Sequence, residues 1–106
     1  MPSLPKPNAK RAKAAKRRAE AKAWTDLRAT VFQRDRGRCR ACHRPTSYGI
    51  LSHPMDLGHA HHIRYRSAGG KNMLSNLVLL CAICHALEHA HVIRITGTAD
   101  DLRIDR

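Results

Sequence analysis

The sequence predicts a small α+β fold, in which a long basic helix precedes a strand–strand–helix unit held together by a zinc knuckle. Three observations predict it. Residues 9–35 are rich in Ala, Lys and Arg and contain no Gly or Pro, a composition with high summed helix propensity. Cysteines form two C-x2-C pairs, CRAC at 39–42 and CAIC at 81–84. Residues 59–91 are patterned as strand, Gly-rich loop, strand and helix.

The N-terminal helix changes character along its length. Residues 1–8 carry three prolines and are predicted to be disordered or extended, with Asn8 a suitable N-cap. Within the helix, large apolar residues begin only at Trp24, and they recur at helical spacing in Leu27, Val31 and Phe32. We therefore expect two parts, a basic N-terminal arm at 1–22 and a folded domain at 23–106.

The arm is either a solvated projection or a helix that contacts nucleic-acid phosphates. Both fit a segment with one sign of charge and no sequence-reading signature. Its candidate phosphate contacts are Lys10, Arg11, Lys13, Lys16, Arg17, Arg18 and Lys22.

The four cysteines predict a structural zinc site. Gly37 is expected to be the C′ residue of the long helix, and the tight turn after it presents Cys39 and Cys42. Paired with Cys81 and Cys84, these complete a tetrahedral thiolate shell, so His43 is not needed as a ligand. Redox chemistry of the C-x2-C type is the alternative.

The remaining segments predict a loop and a hairpin. Pro and Gly residues interrupt 44–58, where one short strand is expected around Ile50 and Leu51. Alternating residues in HVIRITG and LRIDR predict a terminal β-hairpin, whose inward residues would be Ile93, Ile95, Leu102 and Ile104.

Histidines gather in and after the second half of this pattern. His85 and His89 are four residues apart and share one helix face, which suits a divalent ion. His61 and His62 point to opposite sides of a strand, so one can bind metal while the other stays free as a general base. His59 has the strand parity of His61, whereas His91 lies on another face of the helix. Whether either contributes to the metal site stays open.

Charge and hydropathy narrow the class of protein. A formal charge of +12 over 106 residues concentrates polyanions at the surface and favours nucleic acid as a partner. The sequence contains neither an apolar run of transmembrane length nor the apolar core of a signal peptide. We expect a cytoplasmic protein that does not bind membranes.

These residues resemble the HNH endonucleases of the ββα-metal (His-Me finger) fold, in the zinc-containing branch found in phages and bacteria. The resemblance covers about Val31 to His91 and rests on HHI at 61–63, AGG at 68–70, NLVLLC at 76–81, CH at 84–85 and the H-x3-H at 85–89. It implies that His62 is the general base and that Asn76 holds His62 in place through bonds within the loop. The implied ligands of the catalytic metal are His61, His85 and His89.

The resemblance implies a function as well. We expect a DNA endonuclease with a structural Zn²⁺ and a catalytic Mg²⁺, Mn²⁺, Ni²⁺ or Zn²⁺, which leaves 3′-hydroxyl and 5′-phosphate ends. Arg64 and Arg66, beside the histidine pair, join the expected DNA contacts. A role in phage DNA packaging or DNA restriction, with a packaging or other DNA-processing protein as partner, is compatible with cleavage. The alternative is a zinc-ribbon module that binds DNA without cutting it.

Overall fold

The computed structural model describes residues 8–106, so the predicted extended segment at 1–8 lies almost entirely outside the described residues. Two helices and four short strands make up its regular structure, with two 3-10 turns at Arg66–Ala68 and Leu74–Asn76. The chain order is α1 (Ala9–Arg34), β1 (His59–His62), β2 (Leu77–Leu80), α2 (Ala82–His89), β3 (Arg94–Gly97) and β4 (Leu102–Asp105). The predicted α+β fold is confirmed.

Helix α1 begins and docks as predicted. Asn8 caps it by accepting a hydrogen bond from the Lys10 N–H at 2.9 Å. Nearly all side chains before Trp24 are exposed, whereas Val31 is fully buried. The helix runs without interruption across residue 22 and projects its basic half from the domain, which gives overall dimensions of 68 × 32 × 24 Å.

The end of α1 corrects the prediction for Gly37. Arg36, not Gly37, is the C′ residue, and its φ is 57°. Arg36 N–H donates to Gln33 O at 3.1 Å, and Gly37 N–H donates to Phe32 O at 2.9 Å, which is the Schellman pattern. Gly37 follows at φ 66°, where an added Cβ would lie 2.9 Å from the Phe32 ring. Two left-handed residues therefore turn the chain into the cysteine knuckle.

Strands β1 and β2 form an antiparallel pair that separates two layers of core. His61 pairs with Val78 and His62 with Leu77. Val78 and Leu80 pack with the cysteines and the β3–β4 hairpin, while Leu77 and Leu79 pack against α1. Because paired residues share a face of the sheet, His61 faces the α2 side and His62 faces the α1 side.

The loop between β1 and β2 depends on its glycines, as the Gly-Gly motif predicted. Gly69 has φ 90°, in the left-handed region. A Cβ at Gly70 would lie only 1.8 Å from the Arg64 carbonyl oxygen. The chain can close this loop over Arg64 only with glycine at position 70.

The segment at 44–58 differs from its prediction. No strand forms around Ile50 and Leu51, whose exposed fractions are 100% and 97%. Only isolated bridges occur, between Arg38 and Pro45 and between Ser47 and Leu57. Two apolar residues without a partner strand or a covering layer have nothing to hold them extended.

The terminal hairpin forms as predicted, with β3 and β4 antiparallel. Ile93 and Ile95 are buried, and the half-buried Leu102 and Ile104 pack against the same core cluster. The hairpin thus covers the same core cluster that contains Cys39, Cys81 and Cys84.

Asp35 connects α1, the knuckle and β2. Its buried carboxylate accepts hydrogen bonds from Arg34, from Arg40 and from the backbone N–H of Leu79 at 2.9 to 3.0 Å. Burial raises the pKa of Asp35, but hydrogen bonds from Arg34, Leu79 and Arg40 outweigh it and lower the pKa overall. In the sequence, Asp35 is only the last residue of the predicted helical segment, so this role was not predicted.

Candidate metal centres

The four cysteines converge at the junction of the knuckle, β2 and α2. Their sulfur atoms all lie within 4.8 Å of one another, and none forms a disulfide. The Sγ atoms of Cys42 and Cys81 are 3.7 Å apart. Tetrahedral Zn–S bonds of about 2.3 Å place sulfurs about 3.8 Å apart, so this donor set fits a structural zinc ion.

Local backbone geometry aims the thiols. Cys39 N–H donates to Arg44 O, and His43 N–H donates to Cys39 O, which closes the knuckle turn. On the other side, Cys81 is the N-cap of α2 and its Sγ accepts from the Cys84 N–H at 3.4 Å. His43 is exposed with φ 66° and takes no part in the cluster.

The pKa values of Cys39 and Cys84 are shifted in opposite directions. Burial raises the pKa of Cys39, yet backbone N–H groups of Cys81, Cys42 and Ala41 outweigh it and bring it down to about 7. Burial and the neighbouring sulfurs raise the pKa of Cys84. A bound cation would favour the thiolate at each position.

Three of the predicted histidines form a second cluster on the α2 side of the sheet. The candidate ligand nitrogens of His61, His85 and His89 all lie within 4.8 Å of one another. The Nε2 atoms of His85 and His89 are 3.2 Å apart, close to the roughly 3.3 Å that tetrahedral zinc–imidazole bonds of about 2.05 Å would give. This donor set fits a divalent ion.

Burial keeps His61 and His85 neutral and therefore able to bind a cation. Desolvation lowers the pKa of His85 to about 4, helped by repulsion from His59, His89 and His61. Burial also lowers the pKa of His61. At neutral pH these imidazoles keep a lone pair for a metal.

His59 and His91 lie outside the group of three. The His59 ring stacks on that of His85, with centroids 4.6 Å apart and planes 6° from parallel. Burial and the nearby Arg28 lower the pKa of His59. His91 is exposed after α2 with φ 60°. Neither contributes an atom to the clusters found among residues 8–106.

His62 lines the same cleft as the three histidines, which also includes Arg66 and has a volume of about 360 Å³. Its ring is held from two sides. Trp24 stacks on it with centroids 5.3 Å apart and planes 8° from parallel, and its Nε2 lies 2.7 Å from Oδ1 of Asn72. Because an amide oxygen only accepts, Nε2 is the donor in this pair, which leaves Nδ1 as the nitrogen that can accept a proton.

Asn76 bonds within the loop, as expected. Its side chain accepts from Arg64 N–H and donates to the carbonyl oxygens of Arg64 and Lys71. Its own carbonyl accepts from Ile63 N–H at 2.8 Å. Asn76 therefore fixes the chain just after His62, while Asn72 contacts the ring.

Sequence reasoning missed two polar residues beside the histidines. Glu88 is 5% exposed, and its Oε2 lies 3.4 Å from His61 Nε2. Tyr65 donates its hydroxyl to the same oxygen at 2.6 Å, and this hydrogen bond raises the pKa of Tyr65 to about 12. The available signal was an acidic residue one helical turn from His85 in a basic protein.

Of the two arginines predicted to contact DNA beside the histidine pair, only Arg66 lines the cleft. Arg66 also lines a groove shared with Arg17, Trp24 and Asn72, so α1 passes directly beside the histidine cleft. Arg64 instead donates its Nε to Ala68 O, within the loop. The exposed arm residues are Lys10, Arg11, Lys13, Lys16, Arg17, Arg18 and Lys22, of which Lys22 pairs with Asp26.

Comparison with known proteins gives one match. The profile of the family described as HNH endonuclease matches residues 39–91, which include both the four-cysteine and the three-histidine clusters. No curated protein and no solved structure gives a match. Among residues 8–106, no helix is both long and apolar enough to cross a membrane.

Proposed function

The chain belongs to the HNH endonuclease family, and we propose that it hydrolyses DNA phosphodiester bonds at the three-histidine centre. One observation carries the proposal. His61, His85 and His89 bring their nitrogens within 4.8 Å of one another, and the free imidazole of His62 lines the same cleft. Metal ligands and a separate base are the two components that this hydrolysis needs.

The three histidines would hold a catalytic divalent ion, and the four cysteines a structural Zn²⁺. An ion bound by the histidines would stabilise charge on a phosphate oxygen and on the leaving oxygen. The chain's own part is to fix the ligands, with His61 buried on β1 and the other two one turn apart on α2.

His62 is the proposed general base. Asn72 accepts the Nε2 hydrogen, so Nδ1 can take a proton from the attacking water. Trp24 packs flat on the ring and restricts its rotation. Asn76 supports this arrangement indirectly, because it fixes the backbone at Ile63 and Arg64.

DNA would approach along the face shared by α1 and the cleft. Arg17 and Arg66 line one groove between them, and that groove adjoins the cleft through Arg66. Duplex phosphates in this groove would neutralise the basic surface with no need for base recognition. We propose the division at residue 22 on the same ground, with 1–22 as a phosphate-binding arm and 23–106 as the nuclease domain.

A plasmid cleavage assay tests the function. Supercoiled DNA is incubated with the zinc-loaded protein and Mg²⁺, Mn²⁺ or Ni²⁺, with His62→Ala and the control His53→Ala in parallel. His53 is an exposed loop histidine outside both clusters. We expect cleavage by wild type and His53→Ala, with 5′-phosphate ends, and cleavage about 10²–10⁴-fold slower by His62→Ala. DNA binding without cleavage in any metal would instead favour the non-catalytic module.

A further inference from the structure

We propose that Glu88 is the buried counter-charge of the histidine metal centre and that it positions His61 for the metal. The inference rests on the proposed function, because it assumes that His61 is a ligand. It adds a residue on α2 that does not itself line the cleft.

Glu88 has few partners for a buried carboxylate. Its side chain is 7% exposed, and among residues 8–106 the only basic side chain within 4.0 Å of it is His61, whose Nε2 lies at 3.4 Å. Burial lowers the pKa of His61, so this ring does not offset the carboxylate charge in the metal-free protein. Tyr65 supplies one hydrogen bond at 2.6 Å. Burying a carboxylate costs several kcal/mol unless charge and hydrogen bonds offset it, and neither Lys nor Arg does so in this part of the chain.

His61 lacks a hydrogen-bond partner, just as Glu88 lacks a positive charge beside it. Its Nε2 is the single buried side-chain nitrogen or oxygen among the described residues without a hydrogen-bond partner. A buried polar atom left without a partner is costly. The proposal places the cation on Nδ1, because Nε2 is the ring nitrogen that lies beside Glu88. A cation on Nδ1 would make Nε2–H a stronger donor toward Glu88 and would offset the carboxylate charge, so metal binding would supply both missing partners.

The position of Glu88 suits support of a ligand better than direct metal binding. The histidine cleft is lined by His61, His85, His89 and Tyr65 but not by Glu88, which lines an adjoining cleft. Glu88 therefore lies outside the histidine cleft, beside Nε2 of the His61 ring. Tyr65 contacts both Glu88 and the histidine cluster. Its hydroxyl donates a hydrogen bond to Glu88, and its ring stacks on His89 with centroids 5.6 Å apart.

A carboxylate behind a histidine ligand orients the ring and strengthens it as a donor, and loss of such a partner weakens metal affinity by about 10–100-fold. Glu88→Gln keeps the shape and an acceptor for Tyr65 but removes the charge. Without the metal, the buried charge of Glu88 destabilises the folded state. Metal affinity and metal-free stability should therefore change in opposite directions.

The test is a titration of zinc-loaded protein with Ni²⁺ against a competing chelator, together with thermal unfolding without Ni²⁺. For Glu88→Gln we expect Ni²⁺ affinity to fall 10–100-fold and the Ni²⁺-free unfolding temperature to be equal or higher. The control Glu20→Gln, on the exposed face of α1, should change neither. Tyr65→Phe should weaken affinity less than Glu88→Gln.

Two results would overturn the inference. One is unchanged Ni²⁺ affinity in Glu88→Gln while the wild type binds and cleaves, which would leave the proposed function standing. The other is a lower unfolding temperature, or an unfolded protein, for Ni²⁺-free Glu88→Gln, which would make Glu88 an ordinary structural residue. If the wild type itself bound no Ni²⁺ outside the cysteine site, the proposed histidine centre would fail as well.

Discussion

Replacing Asp35 should loosen the attachment of α1 to the domain, and the size of the effect follows from its contacts. The carboxylate is 2% exposed and accepts from the buried N–H of Leu79. A hydrogen bond to a charged acceptor contributes about 1.5–3 kcal/mol. Arg34 and Arg40 are 27% and 30% exposed, so each pair is discounted to about 0.5–1 kcal/mol. Asp35→Ala should therefore lower the free energy of unfolding by about 2.5–5 kcal/mol, in line with other broken buried pairs.

Asp35→Asn is the matched control, since its amide oxygen can still accept from Leu79 N–H. We expect it to lose only about 1–2 kcal/mol, the part owed to charge. Urea unfolding at pH 7, with free zinc held constant by a metal buffer, measures both variants on the same footing. An Asp35→Ala loss below about 1 kcal/mol, or equal losses in the two variants, would refute the reasoning.

The pH dependence of that stability has a defined sign. The folded-state pKa of Asp35 is lowered, so its contribution is present above the unfolded pKa and is lost as pH falls through the folded pKa. Zinc release also occurs in acid, and therefore the quantity to follow is the difference between wild type and Asp35→Asn. That difference should shrink as the solution is acidified below about pH 4.

Further substitutions separate the roles of the other residues. Cys39→Ser or Cys84→Ser should unfold the domain, because each removes a ligand of the zinc ion that supplies folding free energy. A native circular dichroism spectrum together with wild-type zinc content in these variants would contradict this. His62→Ala should reduce the single-turnover cleavage rate at saturating DNA by about 10²–10⁴-fold and leave DNA binding intact. Asn72→Ala should reduce the same rate by a smaller factor. Deleting residues 1–22 should weaken binding equally on two unrelated duplexes, and each lost phosphate contact should reduce the slope of log affinity against log salt by about 0.9. An unchanged slope would make the arm a solvated projection.

Much of the fold could be predicted because its signals are local or depend on spacing. The apolar spacing that starts at Trp24 predicted where α1 docks, and strand alternation predicted that His61 and His62 would face opposite ways. Paired C-x2-C motifs predicted a four-thiol cluster, which the structure forms. The family resemblance then predicted which histidines would meet.

Long-range contacts explain what the sequence could not reveal. Asn72 and Asn76 are both plausible partners for His62 along the chain, and only the closed loop shows that Asn72 reaches the ring. Asp35 finds the N–H of Leu79 far along the chain. The short strand expected around Ile50 and Leu51 failed for a similar reason, because apolar residues form a strand only when a partner edge and a covering layer are present.

The central claim, that the histidine centre cleaves DNA while the cysteine centre only folds the domain, is tested most directly with His85→Ala. The measurement combines zinc content, circular dichroism and single-turnover cleavage across a range of Mn²⁺ concentrations. His85→Ala should keep one zinc and a native spectrum, bind DNA, and cleave none of it at any Mn²⁺ concentration that saturates the wild type. Cleavage by His85→Ala with the wild-type dependence on Mn²⁺ would contradict the claim.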